Sequence, residues 1–199
     1  MNETMQTLLT RRSVRAYRPD PVPDDLLAQV LLAGQRACTA RGAQPWHFVV
    51  VTDRKLLSWV NGEAIAALLA SGNEMLAERA RQPGFDVFHR APVVVFIAGR
   101  GESVYAVTDC ANATQNMAVA AHSLGLGSCY TTTFHVGFGG GQEAELSRRL
   151  RLPEGYTPLY ALTLGYAESA PGEAPVLRED AVTHLPAHRS VSDRTPPSA

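Results

Sequence analysis

The sequence is poor in lysine and in cysteine. Lys55 is the only lysine among 18 lysine and arginine residues, so guanidinium groups carry almost all of the positive charge. The three cysteines, Cys38, Cys110 and Cys129, are an odd number without CxxC spacing. Such cysteines are typical of reduced thiols in a cytoplasmic protein, and they exclude a disulfide framework. We therefore expect a cytoplasmic protein with no metal site.

Long hydrophobic runs and a large net charge of either sign are also missing. No stretch approaches the roughly 20 apolar residues that span a bilayer, and the first residues, MNETMQTLLTRRS, lack the apolar centre of a signal peptide. A formal net charge of -1 gives no overall field that would attract nucleic acid or an acidic membrane. Neither partner is expected, and any recognition of an anion must be local.

The length and composition favour a single globular domain. The chain has 199 residues, of which 45% are hydrophobic and 19% are charged. We expect one domain over residues 1–180. Residues 181–199 are rich in proline, serine and charge, and they are expected to form a C-terminal arm or tail.

Hydrophobic patterns predict ten elements in the order helix, helix, strand, helix, helix, strand, long helix, strand, helix, strand. The predicted strands are the apolar runs PWHFVVVTD, APVVVFIAG, SCYTTTF and YTPLYALTLGY. Asp53 is expected to cap the helix that follows the first strand, and residues 63–81 are expected to be helical. This order indicates an α+β fold in which helices surround a mixed sheet.

The longest helical stretch, YAVTDCANATQNMAVAAHSLGLG, has small or apolar residues on nearly every face. A helix of this composition is expected to be buried on all sides. A single domain of this size has little room to bury one completely. Burial against a second copy is the simplest solution, so we predict a homodimer.

A cluster of arginines follows the first helix. Arg11, Arg12 and Arg15 lie within five positions, beside the hydroxyl of Ser13. Guanidinium groups this close could neutralise a phosphate through charge-assisted hydrogen bonds. A bare RRxxR segment is also compatible with a solvated helix end, so the cluster alone does not decide between the two.

Two further stretches have features of a ligand site. Gln44 precedes Pro45 and Trp46 at the entry to the first strand, and its amide could both donate to and accept from the edge of a heteroaromatic ring. The small residues of the long helix lead through a glycine turn into a threonine-rich strand, where a ligand could approach closely. Core packing explains Trp46 and the small residues equally well.

Together these stretches resemble the nitroreductase-like family of FMN-dependent oxidoreductases. The family pattern is RRSxRxF/Y, PSxxNxQPWxF, DxxxAxQNMxLxA, GLGSCW and LGY followed by an arginine. The corresponding segments here are RRSVRAY, CTARGAQPWHF, DCANATQNMAVAA, GLGSCY and LGYAESAPGEAPVLRED. The resemblance runs from about residue 8 to residue 180, and five motifs in the right order make it specific.

The resemblance implies a nitroreductase-like α+β fold with a long buried central helix, dimer-exchanged terminal segments and FMN as cofactor. It implies that the first arginines and serine hold the FMN phosphate and ribityl chain, and that residues from both chains meet at the flavin. The residues that it assigns to the cofactor are Arg11, Arg12, Ser13, Arg15, Thr39, Gln44, Tyr130, Thr131, Thr132, Thr133 and Arg178. No catalytic residue is required, because the flavin carries the chemistry.

Three positions depart from the family pattern. The proline of PSxxN is Cys38, its serine is Thr39 and its asparagine is Gly42. The residues after GLGSC form a threonine run in place of the usual tryptophan or apolar pair. The arginine cluster is intact, so FMN binding is expected, whereas the usual range of substrates is not.

The implied activity is transfer of hydride from NADH or NADPH, through FMN, to a nitroaromatic, a quinone or a similar acceptor. One alternative is a biosynthetic FMN-dependent oxidase or dehydrogenase that desaturates cyclic dipeptides or oxidises azoline rings, with Tyr130 or Tyr105 as acid or base. A flavin-free binding protein on the same scaffold, or a flavin-free enzyme of a phosphorylated metabolite, stays open as well.

Overall fold

The computed structural model describes residues 1–138, 142–170 and 172–185. All ten predicted elements are present in the predicted order. The six helices of this part of the chain are α1 (Glu3–Thr10), α2 (Asp24–Gln35), α3 (Arg54–Ala70), α4 (Glu74–Arg81), α5 (Ala106–Ser123) and α6 (Glu143–Arg149). The four strands are β1 (Trp46–Val51), β2 (Val93–Arg100), β3 (Gly127–Thr131) and β4 (Tyr156–Gly165).

The strands form one sheet in the order β1-β2-β4-β3. All three strand pairs are antiparallel. A parallel element is present only as an isolated bridge between Ser13 and Ser128, on the outer edge of β3. The α+β class is confirmed, and the parallel part of the expected mixed sheet is reduced, in the described residues, to this bridge.

The helices cover both faces of the sheet. On one face, side chains of α3 and α6 pack with Val94 and Phe96 of β2. On the other face, side chains of α2 and α5 pack with Val93, Val95 and Ile97 of the same strand. Because successive residues of a strand point to opposite faces, burial on both sides explains why β2 is apolar at every position from Val93 to Ala98.

Local capping explains where α3 and α4 begin and end. Asp53 caps α3 as predicted, since its carboxylate accepts from the backbone N–H of Lys55 at 2.8 Å. The expected continuous helix over residues 63–81 is wrong at its middle. Gly72 has a φ of 69° there, and Asn73 starts a new helix by accepting from the N–H of Leu76.

Helix α5 is not buried on all sides within one chain. Eight of its 18 residues are buried, including Cys110 and Met117, whereas Val107, Gln115 and Asn116 are exposed. The sequence predicts burial of the remaining faces against a second copy of the chain, and that part stays a prediction. Val107 is the large apolar side chain of α5 that one chain leaves exposed.

The C-terminal part adds little to the core among the described residues. Residues 172–185 contain one short 3-10 turn, Glu179–Ala181. Most of the predicted arm, residues 186–199, and the centre of the predicted GFGGGQ loop lie outside the described residues, so the domain boundary stays a prediction. None of the described helices is long and apolar enough to cross a membrane.

Candidate functional site

The RRSVR segment is held in an extended conformation along the edge of the sheet. The N–H of Val14 donates to the carbonyl of Ser128 at 2.9 Å, and the N–H of Arg18 donates to the carbonyl of Tyr166 at 2.9 Å. The Tyr17 hydroxyl lies 2.7 Å from Oγ1 of Thr163. These hydrogen bonds to the sheet therefore fix the backbone that carries the arginines.

Two glycines of the recognised motifs make room for this segment. A Cβ on Gly165, the glycine of LGY, would lie 2.6 Å from Pro92 and 2.9 Å from the ring of Tyr17. A Cβ on Gly127, within GLGSC, would press into the side chain of Val14 in the same way. Both motifs are thus explained by close approach of the arginine-bearing segment to β3 and β4.

Arg15 opens into a cleft between this segment, α4 and the end of β3. The cleft has two adjoining cavities of about 200 Å³ and about 540 Å³. The side chains that line both are Arg15, Arg79, Phe85 and His89; we call this region the arginine cleft. The larger cavity lies within the range of about 300–1,000 Å³ that is usual for ligand pockets.

The arginine cleft has more guanidinium groups than carboxylates available to pair with them. Among the described residues, neither Arg15 nor Arg79 makes an ion pair. The larger cavity is lined by the arginines Arg15, Arg79 and Arg90 and by the carboxylates Asp86 and Glu168. Oδ1 of Asp86 accepts from the backbone N–H groups of Phe88 at 2.7 Å and Arg90 at 3.4 Å. Like charges held together in this way suit an anionic ligand.

His89 adds a neutral nitrogen donor or acceptor to the cleft. Burial lowers the pKa of His89, and Arg15 and Arg79 lower it further against the opposing effect of Asp86. Its backbone has a φ of 56°, and Arg90 follows at 55°. Left-handed conformations in consecutive residues other than glycine are strained, and strain of this kind tends to cluster at functional sites.

The other two arginines of the cluster lie beside the cleft rather than in it. Nη1 of Arg12 donates to the carbonyls of Leu9 and Arg11 at 2.9 and 2.7 Å, so its guanidinium caps the end of α1. Arg11 is half-buried near His122 and lowers the pKa of that histidine after the larger effect of burial. Their roles in cofactor binding stay predictions.

The threonine run forms part of the wall of the smaller cavity. Tyr130, Thr131, Thr132 and Thr133 line it together with Cys129. Oγ1 of Thr131 accepts from the N–H of Thr133 at 3.2 Å, which leaves the exposed Thr132 hydroxyl more accessible. Four of the predicted positions are therefore brought together with Arg15.

The structure does not favour either tyrosine as an acid or base in the arginine cleft. The ring of Tyr130 packs against Tyr160, with ring centroids 5.0 Å apart, in the core on the α5 side of the sheet. Burial, and then Tyr160, raises the pKa of the Tyr130 hydroxyl, which keeps it protonated at neutral pH. Tyr105 is at the N-cap of α5 and is partly exposed.

Arg178 is not brought to the cleft in a single chain. Its guanidinium pairs with Asp180 at 2.9 and 3.0 Å, and its side chain is 76% exposed. A separate cavity beside Ser13 is lined by three residues that precede Arg178 in the chain, namely Ser169, Ala170 and Gly172. Arg178 as a phosphate ligand stays a prediction.

Thr39 and Gln44 lie at the ends of a tight turn before β1. The N–H of Gln44 donates to Oγ1 of Thr39 at 3.4 Å, and Arg41, Gly42 and Gln44 have φ values of 57°, 66° and 46°. Asparagine and glycine are the residues best suited to left-handed backbone. Gly42 thus keeps the backbone shape available to the family asparagine while losing its amide.

The two groups of predicted site residues lie at diagonally opposite corners of the sheet. β1 and β3 are its two edges, so three strand spacings, roughly 14 Å, separate them. The two groups are also separated along the strands. Trp46 pairs with Gly99 near one end of β2, whereas Ser128 pairs with Leu164, which pairs with Val93 at the other end of β2. The six residues from Val93 to Gly99 correspond to roughly 20 Å. Thr39 and Gln44 cannot meet the arginine cleft of their own chain.

A sequence model described as the nitroreductase family matches residues 8–166. The chain belongs to the nitroreductase family. It is 30% identical over 188 residues to a protein of Methanothermobacter thermautotrophicus that is provisionally named an NADH dehydrogenase/NAD(P)H nitroreductase, covering 92% of this chain and 86% of that one. It is 28% identical over 188 residues to the oxygen-insensitive NADPH nitroreductase of Salmonella typhimurium, covering 92% and 74%.

A solved structure gives the same fold. The nitroreductase of Bacteroides fragilis with bound FMN superposes with a TM-score of 0.84 at 29% identity, covering 94% of this chain and all of that one. This nitroreductase therefore has the α+β fold that the motifs implied.

Two residues of the arginine cleft were missed by the sequence interpretation of this nitroreductase. Arg79 and His89 come from the segment ERARQPGFDVFHRAP, which matches none of the five motifs. The signal that could have indicated them is the accumulation of basic side chains around Pro83 and Gly84. Nothing in the sequence alone shows that this loop folds back to Arg15.

Proposed function

We propose that this nitroreductase-family protein is an FMN-dependent oxidoreductase that transfers hydride from NADH or NADPH to a nitroaromatic, a quinone or a similar small organic acceptor. The observation that carries the proposal is the arginine cleft, where Arg15 and Arg79 make no ion pair among the described residues. The names of the two relatives and the FMN bound in the B. fragilis structure support it.

The residues of the cleft fit the chemistry of FMN. Arg15 and Arg79 would bind the phosphate, because planar guanidinium groups donate two parallel hydrogen bonds to such an anion. Thr132 and the neutral His89 would hydrogen-bond the polar groups next to it. Ser13, Arg11, Arg12 and Arg178 are retained as further candidate ligands from the motif.

FMN, when bound, supplies the two-electron chemistry, and the chain contributes binding, orientation and exclusion of water. The ladder that fixes residues 13–18 against β3 and β4 keeps Arg15 in place without a further ordering cost on binding. No acid or base is assigned to the chain, since Tyr130 is protonated and packed into the core.

We further propose that the complete site needs two copies of the chain. Thr39 and Gln44 lie at the corner of the sheet opposite Arg15, so in one protomer they cannot face the ring of a cofactor whose phosphate is held in the cleft. A homodimer would bring this turn from one protomer to the cleft of its partner. The exposed Val107 of α5 and Leu9 of α1 are candidate contacts, and exchange of terminal segments and a cytoplasmic location belong to the same proposal.

The reductase interpretation is preferred over the alternatives. The comparisons support an NAD(P)H-dependent reductase and give no support to a biosynthetic oxidase or to a flavin-free protein. A desaturase would also need a candidate acid or base at the cofactor, and Tyr130 does not provide one.

Anaerobic reduction tests the proposed function. Purified protein loaded with FMN is mixed with NADPH or NADH, and the flavin absorbance in the blue is followed before and after adding a nitroaromatic or quinone. We expect rapid bleaching by one of the two nicotinamides and recovery with the acceptor. Failure of both nicotinamides to bleach the bound flavin would contradict the proposal.

A further inference from the structure

Asp109, on the first turn of α5, is a buried carboxylate that no motif role explains. It is 3% exposed, and its Oδ1 accepts from the backbone N–H of Ala40 at 3.2 Å. No donor among the described residues is within hydrogen-bond distance of its Oδ2. Burying a carboxylate with so few donors is costly, so a residue retained at such a position calls for a reason beyond packing.

The partner of Asp109 is the turn that carries Thr39 and Gln44. Three residues of this turn have left-handed backbone, and two of them, Arg41 and Gln44, are not glycine. Strained backbone of this kind persists only where its surroundings fix it. Inside the turn the only described side-chain bond is the long one from the Gln44 N–H to Thr39.

Helix α5 supplies the external anchors of the turn. Asp109 binds Ala40, and Nδ2 of Asn112, one helical turn later, lies 3.6 Å from Sγ of Cys38. The two contacts flank Thr39. The bond from Ala40 is the shorter of the two and ends on an ionisable carboxylate, which makes it the stronger anchor.

We propose that Asp109 is a positioning residue: through Oδ1 alone it fixes the Thr39–Gln44 turn, and thereby the contacts that this turn makes with the cofactor ring in a partner's cleft. The inference rests on the proposed function for its kinetic consequence. A misplaced turn leaves the contact between Arg15 and the FMN phosphate intact. Loss of the anchor therefore slows the reaction more than it weakens FMN binding. The charge on Oδ2 is not needed for this role.

Two near-isosteric variants separate this role from a merely structural one. Asp109→Asn keeps an oxygen that accepts from Ala40, whereas Asp109→Leu fills a similar volume with no acceptor. Replacing a buried charged group by an apolar one of similar size is often tolerated by the fold. Asn116→Ala is the matched control, because it removes another α5 hydrogen bond, to the carbonyl of Ala33 in α2 at 3.2 Å, and leaves the turn untouched.

Two measurements are made on each variant. Amide hydrogen exchange of the segment 38–44 in cofactor-free protein reports the anchoring of the turn. Anaerobic stopped-flow reduction by NADPH reports the limiting rate with FMN bound, and quenching of FMN fluorescence gives its Kd.

We expect Asp109→Leu to speed exchange in the segment 38–44 and to lower the limiting rate by about 10- to 100-fold, with little change in the FMN Kd. Asp109→Asn and Asn116→Ala should resemble the unaltered protein in all three measurements. Unchanged exchange and rate in Asp109→Leu, or an Asp109→Asn variant as impaired as Asp109→Leu, would overturn the inference. If the unaltered protein is not reduced at all, the proposed function fails, and the exchange experiment still decides whether Asp109 holds the turn.

Discussion

Val14 packs directly against Gly127, so that a Cβ added to Gly127 would lie 2.9 Å from Cγ2 of Val14. This contact joins the arginine-bearing segment to β3 and sets how close Arg15 lies to the cleft. A glycine of the GLGSC motif thereby controls the position of a residue more than 110 positions earlier in the chain.

Gly127→Ala is therefore expected to weaken both the fold and FMN binding. Overpacking at this contact should lower the free energy of unfolding by about 1–3 kcal/mol, measured by urea denaturation. The FMN Kd should rise, because the segment carrying Arg15 is displaced. The double variant Val14→Ala/Gly127→Ala should recover part of both losses.

The control for this prediction is Gly62→Ala. Gly62 lies on the exposed face of α3 with open space at its Cα, so alanine should stabilise the protein by up to about 1 kcal/mol. A Gly127→Ala protein as stable as the Gly62→Ala protein would show that Val14 does not limit the approach to β3.

The stability of the cofactor-free protein should fall as the pH falls below about 6.5, the ordinary pKa of histidine. Burial and nearby arginines lower the pKa of both His89 and His122 in the folded state. Between the lowered pKa and about 6.5 the unfolded chain binds more protons, so acid favours unfolding; above about 6.5 the contribution is fully present.

Denaturation of His89→Gln/His122→Gln between pH 5 and pH 8 tests this dependence. The variant should show a shallower loss of stability in the acid range than the unaltered protein. An equally steep loss between pH 5 and pH 8 would show that neither histidine causes the acid sensitivity.

Val107→Asp tests the proposed dimer. The side chain of Val107 is 56% exposed on α5, and a charge there should oppose burial against a second copy. Sedimentation should show a shift from dimer to monomer, accompanied by loss of reduction by NADPH. Leu69→Asp, at the end of α3 and 44% exposed, is the control and should stay dimeric. Full activity in a monomeric Val107→Asp protein would contradict a site shared between protomers.

Local sequence patterns allowed the helices and strands of this fold to be predicted. Features that depend on contacts between distant parts of the chain could not be predicted in this way. The cap at Asp53 and the apolar run of β2 depend on neighbouring residues and on burial of both sheet faces, so the sequence indicates them directly. The break at Gly72 was missed, because alanine-rich segments on both sides hide it. The sequence could not show which residues of α5 stay exposed in one chain, because small residues suit a partner's surface as well as a core.

The candidate site was predictable only where motifs covered it. Arg15 and the threonine run follow from the recognised segments and do lie together. Arg79 lies on the last turn of α4, and His89 lies on the loop with strained backbone that follows it. No periodic pattern in the sequence places either residue beside Arg15. The resemblance implied that Gln44 meets the flavin across a dimer interface. The strand order that separates Gln44 from Arg15 within one chain depends on pairing that the sequence does not encode locally.

The most direct test is the affinity for FMN of Arg15→Ala/Arg79→Ala, measured by fluorescence quenching next to the unaltered protein. Arg81→Ala is the control, since Arg81 pairs with Glu74 at 2.6 Å and lines neither cavity of the cleft. Losing two charge-assisted contacts should raise the Kd by at least about 100-fold, with Arg81→Ala unchanged. A double variant that binds FMN as tightly as the unaltered protein would contradict the assignment of the arginine cleft as the cofactor site.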